Sequence, residues 1–357
     1  MTSDKRNTNS LTKLAGYFLP VLITLLFLYW TFRGIDLKQS FVQIFRTSIW
    51  WLIIYLVVFY LSHYFRAVRW KLMIKPVKPN ASSLNLFGAL MVGYGVNCVI
   101  PRLGELYRGL FLGKWENISR TTMIGTVVVE RVIDIASFAL ASLISVYLFN
   151  GDLFKDIPWL KPSLMIGFVF ILVFVFLLIA LVRFKQNFTS VILKFVDKIN
   201  PSISKKLSGV FSTLIDGFSS IKGIGNILNI ILYTALIFIF YALNTYVGFF
   251  MIGMEKLGPV DFSMAWVFMA ISAYGVLIPT PGGTGSYHLI SIFVLSELYH
   301  FSYEVSAAYA ILTHFIQFFV FIITTIVMIY WINKIQVRKG AKSEDFFSVF
   351  NQRKEDE

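Results

Sequence analysis

The feature that most limits how this chain can fold is a succession of apolar runs, at residues 14–32, 49–65, 164–182, 227–252 and 305–332. Each is long enough to cross a bilayer core, which takes roughly 17 to 25 residues per helix. A chain that is 57% hydrophobic and 14% charged has too little polar surface to cover such runs in water, so the expected fold is all-α, a polytopic membrane helical bundle. A sixth run, 121–149, is equally long but carries Glu130, Arg131 and Asp134. Two further apolar segments, 84–100 and 262–299, meet proline and glycine. The first run follows Lys5, Arg6 and Lys13, as a signal segment would. The sequence Thr31-Phe32-Arg33-Gly34 offers no small-residue cleavage site, so a retained signal anchor is expected. With Cys98 as its single cysteine, the chain has no disulfide framework and no multi-cysteine metal site.

A net charge of +13 is compatible with nucleic acid in principle, but the basic residues are scattered between apolar runs and form no basic helix or aromatic-interleaved patch. The positive-inside rule accounts for them better. Five Lys and Arg lie in residues 66–78, seven in 183–222 and six after residue 332, against two in 150–162 and one in 253–261. This distribution places both termini in the cytoplasm. Residues 1–13 form a cytoplasmic tail, 14–333 the membrane domain, and 334–357 a polar tail expected to be disordered. Residues 183–226 alternate apolar and basic positions and read as an amphipathic connector on the cytoplasmic surface, or as a soluble helical link.

The two interruptions resemble each other. Tyr94-Gly-Val-Asn-Cys-Val-Ile-Pro101 and Tyr274-Gly-Val-Leu-Ile-Pro279 each bring proline and glycine into apolar sequence, so helices should stop near Pro101 and Pro279. Broken helices at membrane depth line protein or water, and a matched pair points to a transporter's binding site. Orientation then makes residues 84–120 and 262–299 re-entrant hairpins opening to opposite sides. The expected arrangement is about six full spans plus two re-entrant hairpins in an inverted repeat. The alternative keeps 84–100 as a full span, reaching about 26 Å.

Charges within spans are costly unless paired or hydrated, which makes them functional candidates. Glu130 and Asp134 share one helical face, and Arg131 can pair locally with Asp134. Two acids and one base leave that face negative. It therefore needs another cation, with Arg102 or Arg108 nearest in sequence, or a proton or ion carried by Glu130 and Asp134; an ion-pair lock is the competing reading. Arg102, Glu105 and Arg108 recur every third residue along one helix edge, suited to a phosphate held by two arginines with Glu105 orienting one of them. Arginines merely reaching headgroups from a loop would look alike.

The turn Pro279-Thr280-Pro281-Gly282-Gly283-Thr284-Gly285 would direct backbone amides at an anion, with Thr280, Thr284 and Ser286 as extra donors, or would simply allow tight helix packing. It lacks the Gly-Lys-Ser/Thr of a nucleotide loop. His288 and His314 lie about one helix apart and are read either as coupling groups or as polar core residues. No metal set, no cofactor motif and no nucleophilic triad is discernible.

Together, Pro101-Arg-Leu-Gly-Glu-Leu-Tyr-Arg108, Glu130-Arg131-x-x-Asp134 and Pro279-Thr-Pro-Gly-Gly-x-Gly285 resemble the flippase-like membrane family that contains the transmembrane region of lysylphosphatidylglycerol synthases. The resemblance runs from about residue 14 to residue 332. It implies a bacterial-type inner-membrane protein, and in the bifunctional synthases this region moves the aminoacylated lipid between leaflets. The soluble aminoacyl-transfer domain of those synthases has no counterpart in these residues, so synthase activity is not expected. Relatives often carry an arginine where this chain has Thr313-His314. The expected function is a lipid transporter for a phosphate-bearing headgroup, bound by Arg102, Glu105, Arg108, Arg131 and the 280–285 turn. The alternative is an intramembrane transferase, or the membrane subunit of a lipid-modifying or polyprenyl-modifying enzyme. Membrane lipids are the expected partners, alongside a homo-oligomer or a soluble enzyme docked on the connector.

Overall fold

The computed structural model describes residues 20–149 and 224–350, with single helical positions at 169, 173, 193, 194, 197, 201, 204 and 208. The tail 1–13 and nearly all of the run 164–182 and the connector 183–226 lie outside the described residues. All ten labelled elements are helices: α1 Pro20–Phe32, α2 Leu37–Phe45, α3 Ile49–Ile74, α4 Ser83–Val99, α5 Gly104–Glu116, α6 Arg120–Leu148, α7 Ile224–Met251, α8 Phe262–Leu277, α9 Ser286–Phe293 and α10 Tyr303–Arg338. Among the described residues there is no strand. Among the described residues, three helices, α3, α7 and α10, are long and apolar enough to cross a membrane. At 1.5 Å per residue they reach about 39, 42 and 54 Å, beyond a hydrocarbon core of about 30 Å. A fourth crossing is counted if α1 and α2, bent by 90° at their junction, act as one. The long helix α6, with Glu130, Arg131 and Asp134, is not in this set, while α4 and α8 are shorter apolar helices of 17 and 16 residues.

The chain divides into two compact units. Unit one comprises Met1–Phe59, Val92–Gly104 and Tyr241–Ile326. Within it, α1 turns into α2 at Gly34, whose φ of 85° suits glycine, and Asp36 caps α2 by accepting from the backbone N–H groups of Lys38 and Gln39. The core gathers Phe249, Phe268 and Tyr309, with ring centroids 5.1 to 6.0 Å apart. Both sequence interruptions are realised here, and they meet. The first helix ends at Val99 and the next begins at Gly104; α8 ends at Leu277 and α9 begins at Ser286. Glycine is required at each junction for close approach. A Cβ on Gly104 would stand 1.8 Å from the Gly93 carbonyl oxygen, and one on Gly275 would stand 2.7 Å from Tyr287 Cα.

Unit two comprises Tyr60–Met91, Glu105–Phe240 and Val327–Glu357. Its core holds Trp70, Phe111, Met73 and Leu86, all fully buried. The expectation of disorder from residue 334 onward does not hold up to Phe350. The last helix continues to Arg338, and the following chain folds back. Asn333 Nδ2 donates to the Glu344 carbonyl at 2.6 Å, and Asn333 Oδ1 accepts from Glu344 N–H at 3.1 Å. Phe346 packs edge-on against Tyr107 and Phe111. That contact and the full burial of Val349 offset the ordering entropy that the polar composition suggested could not be met. Beyond it, the N–H groups of Ser348 and Phe347 donate to Asp345 and hold its carboxyl below the usual carboxylate value.

Candidate functional site

Unit two carries the densest charge. Arg66 and Arg69 stand three residues apart on α3 and share a face, so both guanidinium groups reach the face of α6 that carries Glu130 and Asp134. Arg66 Nε lies 2.9 Å from Glu130 Oε1, and its Nη2 pairs with Asp134. Arg69 Nη2 pairs with the same two carboxylates, 3.0 Å from Glu130 Oε1, while its Nη1 donates to Thr234 Oγ1 on α7 at 3.1 Å. From α5, Arg108 Nη1 reaches Glu130 Oε2 at 2.7 Å, and its guanidinium lies 5.1 Å over the Trp70 ring. At the edge, Arg131 pairs with Glu105 at 3.1 Å and approaches Asp134 at 3.6 Å.

Exposure grades across this cluster. Glu130 and Arg69 are sealed at 0%, Asp134 is 16% exposed, and Glu105 and Arg131 reach 29% and 36%. Among the described residues, four guanidiniums face three carboxylates in these ion pairs. The cluster has a closed end that fixes three helices to one another and an open end that a ligand can reach.

Several sequence expectations change on this geometry. Arg102, Glu105 and Arg108 do not lie along one helix edge, because α5 starts only at Gly104. Arg102 sits in the preceding turn of unit one with φ 66°, and its Nη2 donates to the carbonyl oxygen of Leu277 at 2.9 Å. A cation there caps the C-terminus of α8. The first interruption therefore closes the helix that the second one ends. Arg108, expected on a phosphate, is buried under Glu130, and Glu105 orients Arg131 rather than Arg102 or Arg108. Sequence reasoning missed Arg66 and Arg69. They were assigned to a cytoplasmic loop because the apolar run stops at residue 65, yet Ala67, Trp70, Met73 and Ile74 carry the buried pattern of α3 onward. Removing the two leaves three, not five, basic residues in the 66–78 count.

Unit one holds the second constellation, around the 279–285 turn. Gly282, Gly283 and Gly285 all take positive φ. The expected crown of free amides is not present in this arrangement, since the N–H groups of Gly283 and Thr284 donate to the carbonyls of Thr280 and Pro281, and Gly285 N–H donates to His288 Nδ1 at 3.2 Å. The hydroxyls are likewise engaged. Ser286 donates to the Gly275 carbonyl at 2.7 Å and lies 3.0 Å from the Thr280 hydroxyl, and Thr284 donates to the Pro281 carbonyl at 2.7 Å. The turn is knitted to α8, which is why Gly275 has no room for a side chain. His314 Nε2 donates to the Gly282 carbonyl at 3.0 Å. The two imidazoles, distant in sequence, stand 4.6 Å apart by ring centroids, with Tyr287 stacked on His314. They border an open cavity of about 470 Å³ whose other walls include Phe32, Phe41, Ile311 and Phe315.

Comparison with known proteins places these features in a family. The model of the lysylphosphatidylglycerol synthase transmembrane region matches residues 17–324. The chain is similar to UPF0104 membrane protein MJ1595 of Methanocaldococcus jannaschii, at 24% identity over 84% of this chain and 89% of that one. UPF0104 membrane protein MJ1078 of the same organism is 28% identical over 70% of this chain and 99% of its own length. A UPF0104 membrane protein of Methanothermobacter thermautotrophicus is 25% identical over 70% of this chain and 76% of its own. No solved structure matches the chain.

Proposed function

The chain belongs to the family of the lysylphosphatidylglycerol synthase transmembrane region and is a multi-pass membrane protein; from that premise we propose that it moves a phosphate-bearing lipid between the leaflets of the cytoplasmic membrane, with both termini on the cytoplasmic side. The observation that carries the reading is the arginine-rich cluster of unit two, with its graded exposure. A guanidinium presents a planar pair of donors matched to phosphate, and Arg131 holds two carboxylates at the open end. An arriving phosphate competes with Glu105 for Arg131, while the acyl chains stay against the apolar helix faces. The sealed pairs of Glu130 keep the neighbouring guanidiniums in place. No nucleotide motif exists in the sequence, so movement runs downhill or with an ion. An intramembrane transferase would need a carboxylate free to act as a base, and both α6 acids are held by guanidiniums.

The test is lipid translocation in proteoliposomes, with a fluorescent phosphatidylglycerol followed by surface quenching. Arg131→Gln should slow translocation by about tenfold, the loss of roughly one charge-assisted hydrogen bond to the moving headgroup. A Ser263→Ala variant, changed at the start of α8, serves as the control. Wild-type rates in a folded Arg131→Gln protein would remove the proposal.

A further inference from the structure

The cavity of unit one has a chemistry unlike that of the arginine cluster. Its walls are aliphatic and aromatic side chains of α1, α2 and α10, and no Lys, Arg, Asp or Glu lines it. Polar groups gather at one place only, where Thr284, His288 and His314 meet. The hydrogen bonds of the two imidazoles assign their protons. Gly285 N–H donates to His288 Nδ1, so that nitrogen bears a lone pair and the neutral ring carries its hydrogen on Nε2. The Gly282 carbonyl can only accept, so His314 carries its hydrogen on Nε2 and a lone pair on Nδ1. Neither remaining nitrogen, His288 Nε2 nor His314 Nδ1, has a hydrogen-bond partner among the described residues. One donor and one acceptor are therefore left over on adjoining rings at the polar end of an apolar cavity. A ring nitrogen left without a partner at the polar end of an apolar cavity is one that a ligand can satisfy.

We infer that this cavity binds a single long alkyl chain ending in a hydroxyl or un-ionised carboxyl group, held between His288 and His314. Either head accepts one hydrogen bond and donates another, as the two free nitrogens require. A phosphate or carboxylate does not suit the place, because the walls supply no countercharge and an unpaired buried charge is heavily penalised. About 470 Å³ is within the ordinary range for a small-molecule site. Phe41 and Phe315, about half exposed, leave the cavity open at the surface of unit one. The occupant is thus not the lipid proposed for the arginine cluster, and the two assignments stand or fall separately.

The test uses the full chain in membranes and photoactivatable sixteen-carbon probes, an alcohol, an acid, a methyl ester and an alkyl phosphate, with labelled peptides mapped by mass spectrometry. The alcohol or the acid should label the α10 segment around residues 311–319 about tenfold more than the ester, which accepts but cannot donate. The alcohol and acid arms separate the two sources of such a head. Ile311→Trp should abolish the labelling by filling the cavity, while His314→Phe, which keeps a ring, should retain labelling but lose the preference over the ester. Equal labelling by ester, alcohol and acid in the wild-type protein would overturn the inference, as would preferred labelling by the alkyl phosphate, labelling that survives in a folded Ile311→Trp protein, or no labelling at all. The wild-type comparison stands even where a variant fails to fold.

Discussion

Glu130 and Arg131 are neighbours in sequence, yet their substitution should have very different effects, because burial sets the strength of an ion pair. Glu130 is sealed among Arg66, Arg69 and Arg108, so Glu130→Gln removes a buried countercharge that three guanidiniums share, while Arg66 and Arg69 keep Asp134. Removing one partner of a buried pair costs about 3 to 5 kcal/mol. In the double variant with Arg108→Gln, part of that loss should return, which a double-mutant cycle of denaturation measurements would read as positive coupling. Arg131, about one-third exposed, should cost less than about 1 kcal/mol of stability when changed to Gln. Additive losses in the Glu130 and Arg108 pair would contradict the arrangement. The need for a cation opposite Glu130 and Asp134 was legible from their i, i+4 spacing, but its source was not. Arg66 and Arg69 lie more than sixty residues away along the chain, and no local pattern connects them to α6.

At the level of elements, the two interruptions were readable because proline and glycine act locally on backbone geometry. Their meeting was not readable, since the Arg102 bond to Leu277 spans 175 residues. The glycines give a graded test. Gly275→Ala places a Cβ against the backbone of Tyr287, where no side chain can move aside, and should cost at least about 1 to 3 kcal/mol. Gly225→Ala meets open space near the start of α7 and should instead raise stability by about 0.5 to 1 kcal/mol. Thermal unfolding of the two purified variants should therefore shift in opposite directions; a shared direction would show that the α8 to α9 junction is looser than this packing.

Across the whole molecule, the charges that matter most are withdrawn from solvent while many large apolar side chains on α3, α7 and α10 remain on the outside. Counterions reach surface pairs and not buried ones. Raising salt from about 0.1 to about 1 M should consequently move the unfolding temperature by less than about 2 °C. A fall of many degrees would place the arginine cluster at an open surface. The class of molecule was determined by the sequence alone, because the length of an apolar run decides whether a helix can cross a bilayer, and that is a property of consecutive residues. So were the positions of the helix breaks, the face shared by Glu130 and Asp134, and the family. Only the tertiary structure decided which arginines neutralise that face, that the Gly283, Thr284 and Gly285 amides are already bonded, that His288 and His314 adjoin, and that the chain after Arg338 returns to pack. Each of these depends on which distant segments are brought within a few ångströms, and hydrogen bonds and ion pairs act only over that range.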